Sequence, residues 1–193
     1  DGATLAEIKD DDGAGSGLDA DLLDGVDAGA LRFITLDPYA AHLAGSATLD
    51  YGYGPYAGID LPDSGTGSFA LGFTIPPDHV SGTALTVRLV WHTSSTSCGI
   101  ELQPNFLSVA RAGRTHLIGG SATSGLEAVG GTILSAPSTA NLSGAQEYTI
   151  TSPDAGTDLK SGDSVIFGLF RCGTCLYDTC TGDLVIQGVG VTY

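Results

Sequence analysis

Apolar and polar residues alternate most cleanly from Ser68 to Ile75, where Phe69, Leu71, Phe73 and Ile75 are separated by Ala70, Gly72 and Thr74. A period of two puts one set on each face, so the stretch predicts a half-buried strand. Pro76-Pro77-Asp78 ends it. Leu85, Val87, Leu89 and Trp91 alternate again with Thr86, Arg88, Val90 and His92. The first face is expected in a core and the second to be more exposed. Residues 100–103 and 106–109 predict a third strand, bent or at an edge, because Pro104 interrupts it. Val165-Ile-Phe-Gly-Leu-Phe170 is apolar on both faces, which predicts a central strand. The closing stretch from Leu184 predicts Val185, Val189, Val191 and Tyr193 on one face. Weaker signals lie at Phe33, Ile34 and Leu36, around Leu117 and Ile133, and at Tyr148 and Ile150.

About eight short strands with turn signals between them, and no long helical period, predict an all-β fold. The architecture expected is a jelly-roll-like two-sheet sandwich over residues 31–193, behind a short N-terminal extension, residues 1–30. Phe69, Phe73, Leu85, Val87, Leu89, Trp91, Phe167 and Leu169 form its expected core.

Composition narrows the functions. The chain has 193 residues, enough for one domain with a full core plus an extension. A formal charge of −15 with only seven Lys and Arg excludes nucleic acid and anionic membrane surfaces as partners. Nine of the 22 acids lie in the first 27 residues, so the extension reads as a solvated acidic linker. No apolar run approaches the ~18 residues of a spanning helix. Met is absent, which implies that Asp1 follows a cut, a removed leader or an omitted segment.

Within the extension, Gly13, Gly15 and Gly17 free the backbone, and Leu18, Leu22 and Leu23 give one short helical turn an apolar edge before Gly25 stops it. Such a turn is too short to hold itself in water, so its leucines need another surface. Gly15-Ser-Gly-Leu-Asp-Ala-Asp-Leu-Leu-Asp-Gly25 resembles the linker motif that recurs in tail-fibre and other surface proteins of tailed bacteriophages. Residues 73–82, Val90-Trp91, the segment from Arg171 to Asp178-Thr179, and residues 188–193 resemble more weakly the jelly-roll-like domain found behind that linker. The resemblance implies a non-enzymatic virion protein, as fibre or decoration, with possible host-surface recognition. It also implies assembly as a homo-oligomer, a trimer, through Leu18, Asp19, Asp21, Leu22, Leu23, Asp24 and Gly25.

Four cysteines stand at Cys98, Cys172, Cys175 and Cys180. Cys172-Gly-Thr-Cys175 also suits a zinc knuckle or a redox pair, but a redox site wants a helix after the first cysteine and zinc wants a second such pair. An even count in the loops of a β-rich external protein favours two disulfides. Cys98 reaching Cys172 or Cys180 is preferred, because that closes the longest loop. Tyr51, Tyr53 and Tyr56 offer an aromatic platform for a sugar ring, or pack against a neighbour. The string Gly52-Tyr-Gly54-Pro-Tyr-Ala57 is no dinucleotide site, since Pro55 and Pro62 spoil the helix it needs.

Chemistry beyond this is sparse. His42, His79, His92 and His116 lack ligand spacing, no G-x-S-x-G elbow exists, and the Asp154–Asp158 pair alone is weak ground for glycoside hydrolysis. Asp10 to Asp12 and Asp19, Asp21 and Asp24 carry oxygens that calcium takes, but Ala14 stands where an EF-hand needs its third ligand. No cofactor, metal site or catalytic residue is therefore expected. Asn141-Leu-Ser143 matches a glycosylation sequon. The leading expectation is the virion surface protein, extracellular or on the particle. Its alternative is a self-assembling extracellular filament subunit joined through its N-terminal segment, and the third reading is a secreted carbohydrate-binding module.

Overall fold

The computed structural model describes residues 32–50, 58–111, 117–119, 126–127, 132–151 and 158–193, with backbone alone at 105–106, 117–119 and 126–127. The chain divides into two units, Asp1–Phe33 and Ile34–Tyr193, and the sandwich belongs to the second. Its strands run in the order β1 (Phe33–Leu36), β2 (His42–Gly45), β3 (Thr48–Asp50), β4 (Gly58–Leu61), β5 (Thr66–Thr74), β6 (Leu85–Thr93) and β7 (Gly99–Ala110). There follow β8 (Leu117–Gly119), β9 (Leu126–Glu127), β10 (Thr132–Ser135), β11 (Gly144–Ile150), β12 (Ser164–Cys172) and β13 (Leu184–Thr192). A 3-10 helix, Pro38–Ala40, is capped by Asp37, whose Oδ1 accepts the Tyr39 N–H at 2.9 Å.

One sheet orders its strands β3-β4-β13-β6-β11-β9, with β1 beside β13; the other runs β10-β7-β12-β5-β2, with β8 beside β7. The core lies between them. Phe69, Leu71, Phe73 and Ile75 meet Leu85, Val87, Leu89 and Trp91 there, joined by Val165, Phe167 and Leu169. All eight residues expected in the core are buried. Phe73 and Phe167 touch edge to face at 6.5 Å between ring centres, the arrangement that aromatic quadrupoles favour. The fold is the all-β, jelly-roll-like sandwich that the alternation predicts.

The strand through Pro104 is one strand, as expected: β7 spans twelve residues, lies between β10 and β12, and carries a bulge opposite Gly168 and Leu169 that bends it. Three details depart from the expectations. In β13 a second bulge leaves Gln187 unpaired between Ile186 and Gly188, and that extra residue reverses the parity of the strand. Leu184 and Ile186 therefore share the core with Val189 and Val191, while Val185 faces away from it. His92, expected on the exposed face, is buried on the outside of its sheet, where Val185 and Asp60 are its neighbours in register. Finally, β12 is central as predicted, between β7 and β5, yet only one face is covered, and Ile166 on the other is 39% exposed.

Candidate functional site

Arg171 organises one end of the sandwich. Period two along β12 aims it inward after Val165, Phe167 and Leu169, so a guanidinium enters the space between the sheets and is wholly buried. A buried charge is tolerated only when paired and fully hydrogen-bonded. Nε and Nη2 donate to the two oxygens of Asp178 at 2.9 Å each. Nη1 donates to the carbonyls of Leu61 at 3.0 Å and Gly182 at 2.8 Å, and Nη2 donates also to that of Cys180 at 3.0 Å. All five guanidinium N–H groups are thereby used. Asp178 Oδ2 in turn accepts the Glu101 N–H at 3.3 Å. One cation thus draws the β12–β13 loop onto the ends of β4 and β7.

Two disulfides fix the same loop. Cys98–Cys180 crosses from the β6–β7 loop, and Cys172–Cys175 closes a tight turn in which the Cys175 N–H reaches the Cys172 carbonyl at 2.9 Å. Of the two partners preferred for Cys98, the fold uses Cys180. No zinc site and no free thiol remain among the four cysteines. Gly173 lets the turn pass the β4–β5 loop, because a Cβ there would fall 1.9 Å from the Asp63 carbonyl oxygen.

On this braced loop Leu176 and Tyr177 point outward, 83% and 58% exposed. Two residues further on begins a groove of about 450 Å³, lined by the hydroxyls of Ser94, Ser95, Thr96, Thr179 and Thr181 above Cys98 and Gly182. Several of these oxygens are already positioned. Ser95 Oγ accepts the Gly182 N–H at 2.7 Å, and Thr179 Oγ1 accepts the Gly99 N–H at 2.9 Å. Each hydroxyl keeps its proton to donate to a ligand. Asp183 stands beside the groove and accepts the Asp63 N–H at 3.3 Å. Asp60, on β4 opposite Val185, is pushed up to about 6 by burial first, and then by the charges of Asp183 and Asp50.

A second concavity, of about 470 Å³, runs along the open face of β2, β5 and β12, where Ala44, Ala70 and Gly168 are too small to fill the space between His42 and Ile166. Its lining is mainly apolar. Hydrogen-bonding groups and an exposed aromatic side chain concentrate instead at the loop end.

The residues singled out by sequence fare unequally. Leu18, Asp19, Asp21, Leu22, Leu23, Asp24, Gly25, the acidic run 10–12, and Tyr51, Tyr53 and Tyr56 lie outside the described residues, as do His116 and Asp154. His42 is exposed on β2, His79 is buried with its ring 6.4 Å from that of Tyr193, and His92 lies on the outside of β6. They do not converge, and among the described residues no three His, Cys, Asp or Glu side chains are placed to hold a metal ion. Arg171 was the residue missed. A lone arginine at the end of an apolar run reads as a solvated strand end, and its inward parity after Val165, Phe167 and Leu169 was the available signal.

The sequence matches no family model and no curated protein. Solved structures do resemble the fold. A family 35 carbohydrate binding module from Clostridium thermocellum matches with a TM-score of 0.50 at 11% identity, covering 82% of this chain and 96% of that one. A family 22 xylan-binding domain from Paenibacillus barcinonensis follows with a TM-score of 0.43 at 8% identity, covering 82% and 92% of the two chains. The C-terminal family 6 module of a marine laminarinase from Zobellia galactanivorans gives 0.41 at 10% identity, covering 83% and 99%. The first likeness places the chain among two-sheet jelly-roll sandwiches. At this identity it establishes the fold.

Proposed function

We propose that the sandwich is a non-catalytic carbohydrate-binding domain working outside the cell, with the loop end as its sugar-contacting surface. One observation carries the reading: the exposed pair Leu176 and Tyr177 stands on a loop locked by Arg171 and two disulfides, beside a groove rich in hydroxyls. A sugar ring has an apolar face and a rim of hydroxyls, so a flat amphipathic ring and fixed hydroxyl partners suit it. Bracing the loop in advance lowers the ordering cost of binding. Disulfides persist in oxidising surroundings, which supports an extracellular setting. The fold shared with a carbohydrate binding module agrees with this reading.

The test is a glycan panel followed by calorimetry on the intact chain and on Tyr177→Ala. The variant is expected to bind roughly tenfold more weakly, equivalent to about 1.4 kcal/mol. A chain that binds no glycan, or a variant indistinguishable from the parent, overturns the assignment.

The motif at residues 15–25 supports a more specific setting: a head domain on a virion fibre, held as a homo-oligomer and recognising a host-surface glycan. Changing Leu22 and Leu23 together to Ser should lower the particle mass seen by light scattering. An unchanged mass removes the assembly role.

A further inference from the structure

We propose that the loop-end groove selects uncharged sugars and rejects acidic ones, such as uronates and sulfated or sialylated glycans. The proposal rests on the reading of this groove as a sugar site and names the class of sugar.

The argument is an inventory of charge. The described residues from Ile34 onward carry the cations Arg88, Arg111, Lys160 and Arg171. Arg171 lies beneath the groove, but it exposes no surface and its five N–H groups are spent on Asp178 and on the carbonyls of Leu61, Cys180 and Gly182. It offers an incoming carboxylate no donor, and its charge is balanced by Asp178 at contact distance. Arg88 lies five positions back from Thr93 along β6, roughly 17 Å at the rise of an extended strand. Arg111 and Lys160 belong to the opposite end of the sandwich, where Arg111 is held by Asp163 and by the Asp158 carbonyl.

Against this stand acids at the rim. Asp183 is exposed and follows directly on Thr181 and Gly182 of the groove wall, and Asp63 is tied to it through its own N–H. The field of Asp183 reaches Asp60 as well, where that of Arg171 only partly offsets it. An acidic ligand would meet like charge with no cation or free guanidinium in reach among the described residues from Ile34 onward, on a chain of formal charge −15. A neutral sugar needs only the hydroxyls of Ser94, Ser95, Thr96, Thr179 and Thr181, which donate and accept without charge.

The experiment measures affinities of the intact chain for neutral oligosaccharides of glucose, mannose and galactose, each beside its C6-oxidised uronate. At low salt a uronate is expected to bind at least roughly tenfold more weakly than its parent, as a like charge at near-contact distance dictates. The gap should narrow between roughly 0.01 M and 1 M salt, where the Debye length falls from about 30 Å to about 3 Å. Asp183→Asn, which keeps an oxygen for the Asp63 N–H, should also narrow it. Thr181→Lys, which sets a cation on the rim, should reverse the preference. Melting curves confirm that both variants are folded. A uronate that binds as tightly as its parent overturns the proposal and leaves sugar binding standing. Failure of every oligosaccharide to bind overturns the sugar-site reading and this proposal with it.

Discussion

Arg171 donates from Nε and Nη2 to different oxygens of Asp178, at 2.9 Å each, and neither side chain exposes any surface. The pair is seven positions apart in sequence and joins the end of β12 to the middle of the β12–β13 loop. Its geometry sets how that loop should respond to substitution.

Replacing Arg171 with Met leaves a buried carboxylate without its counter-ion, and that should cost on the order of 3–5 kcal/mol in urea unfolding. Arg171→Lys should recover little, because an ammonium has three donors from one point and cannot span the same acceptors. Changing both Arg171 and Asp178 to apolar residues should cost less than Arg171→Met alone. Additive costs in this double-mutant cycle would contradict the pairing.

The two disulfides should differ in weight. Cys98–Cys180 closes a separation of 82 residues and Cys172–Cys175 one of 3. In the chain-entropy model, removing the first costs about 4–5 kcal/mol and the second about 2 kcal/mol. Serine replacement of each pair, followed by thermal melting, checks the order. Peptide mapping under non-reducing conditions checks the pairing itself.

Core and open face should also separate. Phe73→Ala or Trp91→Ala creates a cavity between the sheets and should cost about 3–5 kcal/mol. Ile166→Ser, on the open side of the same central strand, should change stability by less than about 1 kcal/mol. Unfolding midpoints for the three variants decide this. A costly Ile166 change would mean that the face is covered.

Asp60 gives the pH dependence a sign. Its Oδ1 is buried without a hydrogen-bond partner, and burial first, then Asp183 and Asp50, lift the carboxyl to about 6. An unfolded aspartate titrates near about 4. Between these values the folded chain holds a proton that the unfolded chain has released, so this group's contribution to stability falls as pH rises through the window. Asp60→Asn should flatten that fall. Parallel profiles for parent and variant across this range would rule it out.

The amino-acid pattern by itself determined the class of fold and most of the core. Period two is a local property of an extended backbone, so Phe69 to Ile75 and Leu85 to Trp91 declare their buried face without reference to any partner. The same logic failed at Val185, because the bulge at Gln187 exists only in the pairing of β13 with β6, and one added residue reverses every side chain before it. It failed at Ile166 for a related reason. Apolar character on both faces reports how a strand could be buried, and only the arrangement of sheets decides that one face stays open.

The candidate site was less legible still. Cys98, Cys172, Cys175 and Cys180 were visible as bridge-forming residues, but which pairs form depends on which loops meet at one end of the sandwich. Arg171 finds its acceptors at Leu61, Asp178, Cys180 and Gly182, and three of those four are backbone carbonyls, which no residue type announces. Ser94 to Thr96 and Thr179 to Thr181 are ordinary polar loop residues in the sequence. Tertiary structure alone made them a single hydroxyl-lined groove, because a buried ion pair and a disulfide hold two loops together that lie more than eighty positions apart.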